Sequence, residues 1–247
     1  MRLINKFSEK VKRKLRMMLP LFFYLLFKNN KIKKNISIYG FTNIRIYRVK
    51  QWRFNLKKKT SRVFYTAIFN ENVYFIKIVN NLRNEVFIHE YMKRCGIKFT
   101  PELLMSDEQF IKNRSMIVTE YIPDLVNFNV PNDIKEFEDI CKELEDILEC
   151  MRKFDIIHGD LSEFNVALDK KKRIIIFDWA NGWAPGAENH MLPRTVYKKV
   201  DGANIYCNAH CFLRVFDECG IPRAFKQSES YMKIERLVGK HTHTVKI

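Results

Sequence analysis

The sequence predicts an α+β fold, with a small antiparallel sheet first and a compact, mostly helical part after it. Three observations predict it. Residues 36–79 hold short β-rich runs separated by turn residues. Residues 132–154 repeat apolar side chains every three or four positions. Residues 156–181, IIHGDLSEFNVALDKKKRIIIFDWAN, put polar groups on a tight loop and at the end of a short apolar strand. At 247 residues with 47% apolar content, the chain is long enough to bury a core as one domain or two small ones.

The N-terminal arm, residues 1–35, carries eleven Lys/Arg and one acid, so it accounts for +10 of the formal charge of +16. Within it Met17 to Phe27 reads MMLPLFFYLLF, with basic residues on both sides. That run is too short to cross a bilayer, which takes about 20 apolar residues. KNNKIKK after it is no cleavage site for a signal peptide. The pattern suits an interfacial segment on an anionic membrane surface. A helix packed on the protein body is the other reading. Phe and Leu uninterrupted by charge suit RNA poorly, so no specific nucleic acid partner is expected.

Strands come next. ISIYGF and IRIYRV alternate, and RVFYTAIF and VYFIKIV flank the turn signal Asn70-Glu71-Asn72. Lys77 lies in the last of these strands. Residues 81–95 change to helical period, and Gly96 ends the helix. MIVTEY, residues 116–121, is an apolar strand broken by Pro123-Asp124. The long helix of residues 132–154 starts at Asn132 or Asp133 as N-cap, and its acids form a solvated face.

The loop after it carries the chemistry. Asp160 is followed five residues on by Asn165, and Asp178 closes the run Ile174 to Phe177. Phosphoryl transfer needs such a set: a carboxylate for the attacking hydroxyl, and hard oxygen ligands for Mg²⁺ against nucleotide phosphates. Six cysteines (95, 141, 150, 207, 211 and 219) show no paired framework, which suggests a reducing compartment. Cys207, His210, Cys211 and Cys219 admit two readings, a zinc site of irregular spacing or a buried helix stripe with Phe212, Val215 and Phe216.

HGDLSEFN resembles the catalytic loop of the protein-kinase-like superfamily. It is most similar to RIO-type kinases and to the small bacterial kinases that phosphorylate lipopolysaccharide core sugars, the heptose kinases. The resemblance implies a two-lobed fold, with an N-lobe over residues 36–122 and a C-lobe over 123–247. It implies Asp160 as catalytic base and Asn165 and Asp178 as metal ligands, with Asp178-Trp179-Ala180 where the usual motif is DFG. It implies Lys77 on the nucleotide phosphates, paired with Glu85 in preference to Glu90. Glu120 and Ile122 would offer backbone groups to adenine. ATP and Mg²⁺ are the implied cofactors. Ser162 and Glu163 match the RIO-like form of the loop, with contact of Glu163 to metal or substrate the lesser of its two readings, and His158 would hold the loop.

Two departures stand out. No glycine occurs between Gly40 and Gly96, so the usual glycine-rich phosphate lid is absent, and NLKKKTSR at 55–62 is its candidate replacement. Few residues follow Gly182 and no APE-like motif is among them, which favours an atypical kinase. The acceptor expected first is a sugar hydroxyl of lipopolysaccharide core or a similar glycolipid. The enzyme would then be cytoplasmic, peripheral on the inner face of the membrane. The alternatives are a RIO-like serine protein kinase or ATPase, and a pseudokinase scaffold.

Overall fold

The computed structural model describes residues 29–50, 62–111, 114–187 and 196–246. The apolar run 17–27 and most of the 55–62 segment lie outside the described residues. The chain divides into two compact units, Met1–Asn80 with Asp107–Val118, and Asn81–Ser106 with Thr119–Ile247.

The first unit opens on helix α1, Asn29–Ser37, which buries Asn29, Ile32 and Ile36. This corrects the strand expected at ISIYGF. Ile36 belongs to a helical i, i+4 pair with Ile32, whereas Ile38 is 77% exposed and so never alternated into a core. The helix also crosses the expected boundary at residue 35. Strands β1 (Thr42–Lys50), β2 (Arg62–Phe69) and β3 (Asn72–Val79) then run antiparallel. With β4 (Leu103–Ile111) and β5 (Arg114–Glu120) they make a five-stranded sheet in the order β1-β2-β3-β5-β4. Tyr65, Ala67, Ile76 and Ile78 are at most 1% exposed. They alternate with the partly buried Phe64, Thr66 and Phe75, the period-two pattern of a strand pair, and Lys77 on that second face is buried too.

In the second unit, helix α2 (Arg83–Arg94) closes with a Schellman motif. Ile97 N–H reaches Met92 O at 3.0 Å, Gly96 N–H reaches Lys93 O at 3.1 Å, and Gly96 supplies the positive φ of 71°. Helix α3 (Ile134–Lys153) is capped by Asp133, whose carboxylate accepts from Glu136 N–H. Its stripe Phe137, Ile140, Cys141, Leu144, Ile147, Leu148 and Met151 is the centre of the core. A short sheet has the order β6-β7-β8 (Val126–Asn127, Val166–Leu168, Ile174–Ile176). A second sheet, β11-β10-β9, combines Thr242–Lys246, Ala203–Cys207 and Lys198–Val200. Helices α4 (Asn208–Glu218) and α5 (Glu229–Leu237) complete the core, setting Phe216 edge-on and Tyr231 stacked against Phe137. The structure thus keeps the α+β class, with an antiparallel sheet in the first unit and helices dominating the second.

The β7–β8 hairpin, closed at its base by the bond from Phe177 N–H to Asn165 O, turns on Asp169. Its carboxylate accepts from the N–H groups of Lys171 and Arg173 at 2.8 and 2.9 Å and from the Arg173 guanidinium at 2.7 and 2.6 Å. Burial would raise this carboxyl, but those donors outweigh it and hold it below the usual carboxylate value. A lowered folded pKa contributes stability above the unfolded value of about 4, and that stability is lost as pH falls through the folded pKa. Asp169→Asn is therefore expected to lower the urea midpoint at pH 6, with the gap to wild type narrowing as pH falls below about 4. Equal midpoints at pH 6 would refute this role.

Candidate catalytic loop and its supports

The loop His158 to Asn165 is held from three directions. His158 is fully buried. Its Nδ1 accepts the Asp160 N–H at 3.2 Å, so the ring proton sits on Nε2, which donates to Phe177 O at 2.7 Å. One imidazole therefore ties the start of the loop to the segment entering Asp178. Gly159 between them takes φ 76°, which a side chain would resist.

Asn165 closes the loop. Its Nδ2 donates to Asp160 O at 2.7 Å, and its backbone O accepts from Phe177 N–H at 2.8 Å. The amide NH₂ is thus spent inside the loop, which leaves the side-chain oxygen as the group suited to a hard cation. Asp178 follows Phe177 directly and stands in the left-handed region, φ 61° and ψ 60°. A non-glycine residue there carries strain of the kind concentrated at functional positions. Asn165 and Asp178 are oxygen donors on adjoining backbone, so the pair fits a magnesium ion.

Asn181 is a residue that the motif did not point to. Its Nδ2 donates to Asp160 Oδ2 at 3.1 Å, fixing one carboxylate oxygen. Asn181 sits on the 3₁₀ turn Trp179–Asn181, just after Asp178. Its only sequence signal is its place three residues after that aspartate, immediately beyond the triplet that stands for DFG.

Trp179 is fully buried. Its ring lies 4.5 Å from that of His158, and its Nε1 donates to Thr100 Oγ1 at 3.0 Å. Asn84 on α2 donates to Ala180 O and Gly182 O at 3.2 and 2.8 Å. Trp179→Phe keeps an aromatic ring but deletes the bond to Thr100. It is expected to cost about 1–2 kcal/mol in urea unfolding; no change would show the indole N–H to be dispensable.

Asn208, the first residue of α4, is the other unforeseen support. Its Oδ1 accepts His158 N–H at 3.1 Å and its Nδ2 donates to Ile156 O at 2.7 Å, all buried. The other expected residues are spread over both units. Lys77 is buried on β3 of the first unit. Glu85 is buried in the first turn of α2 in the second unit, whereas Glu90 is exposed. Glu120 and Ile122 line a cavity of about 530 Å³ with Lys93, Thr100, Glu102 and Leu103, and Asp160, Asn165 and Asp178 are not among its walls. Partial burial and then a hydrogen bond with Glu218 raise the Glu163 carboxyl.

The zinc reading of the cysteines is not supported by their surroundings. Cys211 is buried beside Phe212, and burial pushes its thiol up to about 12. Among the described residues no group of three His, Cys, Asp or Glu gathers as a metal site.

Comparison with known proteins bears on this same stretch. Residues 104–191 match the family model described as RIO domain. The match spans Glu120, Ile122, Asp160, Asn165 and Asp178 and stops short of Lys77 and Glu85. Of the two resemblances carried by HGDLSEFN, the RIO one is matched, and the lipopolysaccharide-kinase one is not. No curated protein matches the sequence. Among solved structures, the kinase PK-1 of Cydia pomonella granulovirus is similar at 18% identity and a TM-score of 0.44. That similarity covers 63% of this chain and 59% of the viral kinase, so the chain spans under two thirds of it. Over the stretch that builds the loop and its hairpin, the chain is similar to the RIO domain.

Proposed function

We propose that the chain is a RIO-like atypical kinase or ATPase that moves the γ-phosphoryl of ATP to an alcohol, with serine of a protein as the acceptor class. The observation that carries this is the convergence of Asp160, Asn165 and Asp178 on one hydrogen-bonded loop and hairpin. The RIO-domain match over that stretch supports it. Asp160 accepts the hydroxyl proton and aims the oxygen. Asn181 holds Oδ2 in place, so Asp160 need not reorganise as charge shifts. Bound Mg²⁺ would neutralise charge on the phosphates; Asn165 and Asp178 are the residues to hold it. Lys77 is the proposed phosphate contact of the N-terminal sheet, with Glu85 as its orienting carboxylate. Glu120 and Ile122 are the proposed adenine contacts.

The test is ³²P release and transfer from labelled ATP by the full chain with Mg²⁺, against Asp160→Asn. Turnover in wild type that falls at least 100-fold in the variant supports the proposal. Equal rates, or none in either protein, overturn it, and the second result would leave the pseudokinase reading standing.

The residues 17–27 motivate a second proposal, an anionic membrane surface as partner with the enzyme peripheral on the cytoplasmic face. No helix among the described residues is long and apolar enough to cross a membrane. Flotation with anionic liposomes tests the idea. Deletion of residues 1–28 leaves α1 whole and should abolish binding, and a full-length protein that stays unbound would end it.

A further inference from the structure

The catalytic loop rests on a narrow base. Ile157 and Trp183 form an isolated antiparallel bridge, with Ile157 N–H on Trp183 O at 2.9 Å and Trp183 N–H on Ile157 O at 2.7 Å. From that bridge the chain runs forward to His158, whose Nδ1 accepts Asp160 N–H. On the other side it runs back to Asn181, which holds Asp160 Oδ2. The bridge therefore closes a ring of covalent and hydrogen bonds around Asp160. One pair of hydrogen bonds outside any sheet opens locally at little cost, so what presses on the bridge decides how well the ring keeps its shape.

Strand β11 presses on it from both sides. His241 and His243 share one face of that segment, while Thr242 and Thr244 between and beyond them are exposed. His241 Nε2 meets Asp155 Oδ1 at 3.0 Å, two residues ahead of Ile157. The ring centroids of His243 and Trp183 are 4.0 Å apart, with the planes 20° from parallel. Same-face neighbours on a strand stand about 7 Å apart, so two adjacent side chains span the bridge. The strand is itself anchored. It pairs with β10 along Ala203 to Cys207, and β10 leads directly into Asn208, which accepts His158 N–H. Burial holds the His243 imidazole below its usual pKa, so it stacks as a neutral plane.

We infer that β11 is a strap that keeps the Ile157–Trp183 bridge shut, with His243 and His241 as positioning residues that set the aim of Asp160. They act through Trp183 and Asp155. The loop has other holds, Asn208 on His158 and Asn84 on Gly182 O, so loss of the strap should loosen it without dismantling it. This rests on the proposed kinase or ATPase reading and adds positioning residues to it.

The experiment compares the full chain with His243→Ala, His243→Phe and Thr244→Ala. It reads amide exchange and Mg²⁺-dependent ³²P release from ATP, both below the melting range. His243→Ala is expected to speed exchange at Ile157 and Trp183 about tenfold. It should lower kcat about fivefold with KM for ATP within about twofold. His243→Phe keeps a flat ring and should restore both readouts. Thr244→Ala, on the exposed side of the strand, should change neither. Unchanged exchange and kcat in His243→Ala overturn the strap. Faster exchange with unchanged kcat overturns it too, because the contact would then serve stability alone. So does a loss of kcat that His243→Phe fails to restore. If His243→Ala does not fold, His241→Ala carries the test. It should lower kcat about twofold with faster exchange at Ile157, and no loss overturns the proposal. Wild-type protein without turnover defeats the kinase reading and the positioning role together, whereas every other outcome leaves that reading standing.

Discussion

Asp178→Gly is expected to lose Mg²⁺-dependent ATP turnover by roughly 10³-fold while unfolding within about 1 kcal/mol of wild type. The two effects separate because Asp178 has two physical roles. Its backbone stands at φ 61°, ψ 60°, which costs an L-residue about 1–2 kcal/mol relative to right-handed geometry. Glycine removes that strain, and the greater entropy of its unfolded chain offsets most of the gain. Its carboxylate is the proposed metal ligand, and glycine removes that entirely. Asp178→Ala is the informative contrast. It keeps the strain and loses the polar side chain, so it should be less stable than Asp178→Gly by about 1 kcal/mol and equally inactive. Thermal melts and ³²P turnover on the three proteins decide the matter. A glycine variant that retains turnover would remove Asp178 from the site; one that unfolds would show that its side chain is structural.

Much of this site is legible in the sequence because its parts are local. Asp160, Asn165 and Asp178 lie within one short stretch, and their spacing already implies a loop followed by a hairpin. Helix α3 is legible because its apolar period runs unbroken from a capping Asp133. The supports are not legible. Asn208 reaches His158 from fifty residues away in sequence, and an asparagine that opens a cysteine-containing helix carries no signal of its target. Asn181 looks like an ordinary turn residue. Ile36 misleads because Ile36, Ile38 and Tyr39 imitate strand alternation over too few residues to reveal the helical partner Ile32. Side-chain hydrogen bonds over long sequence distances leave no periodicity, so only the fold discloses them.

Asn208→Ala should be the most damaging change outside the reacting groups. The carboxamide is 2% exposed and satisfies two backbone groups of the loop that water does not reach, His158 N–H and Ile156 C=O. Leaving a buried donor and a buried acceptor unpaired costs about 1–3 kcal/mol each, so a loss of about 2–6 kcal/mol is expected. The effect should not stop at stability. His158 is positioned by Asn208 and in turn receives Asp160 N–H on Nδ1 and donates to Phe177 O. A looser His158 misaims Asp160 and the entry to Asp178 together. Because the nucleotide contacts proposed for Lys77 lie elsewhere, kcat should fall at least tenfold with little change in KM for ATP. Amide exchange at residues 156–160 should rise with it, since those protons lose their anchor before the whole chain unfolds. A destabilised variant with normal kcat below its melting range would make Asn208 a packing residue only. Unchanged melting, exchange and kcat would show that the loop holds its shape without it.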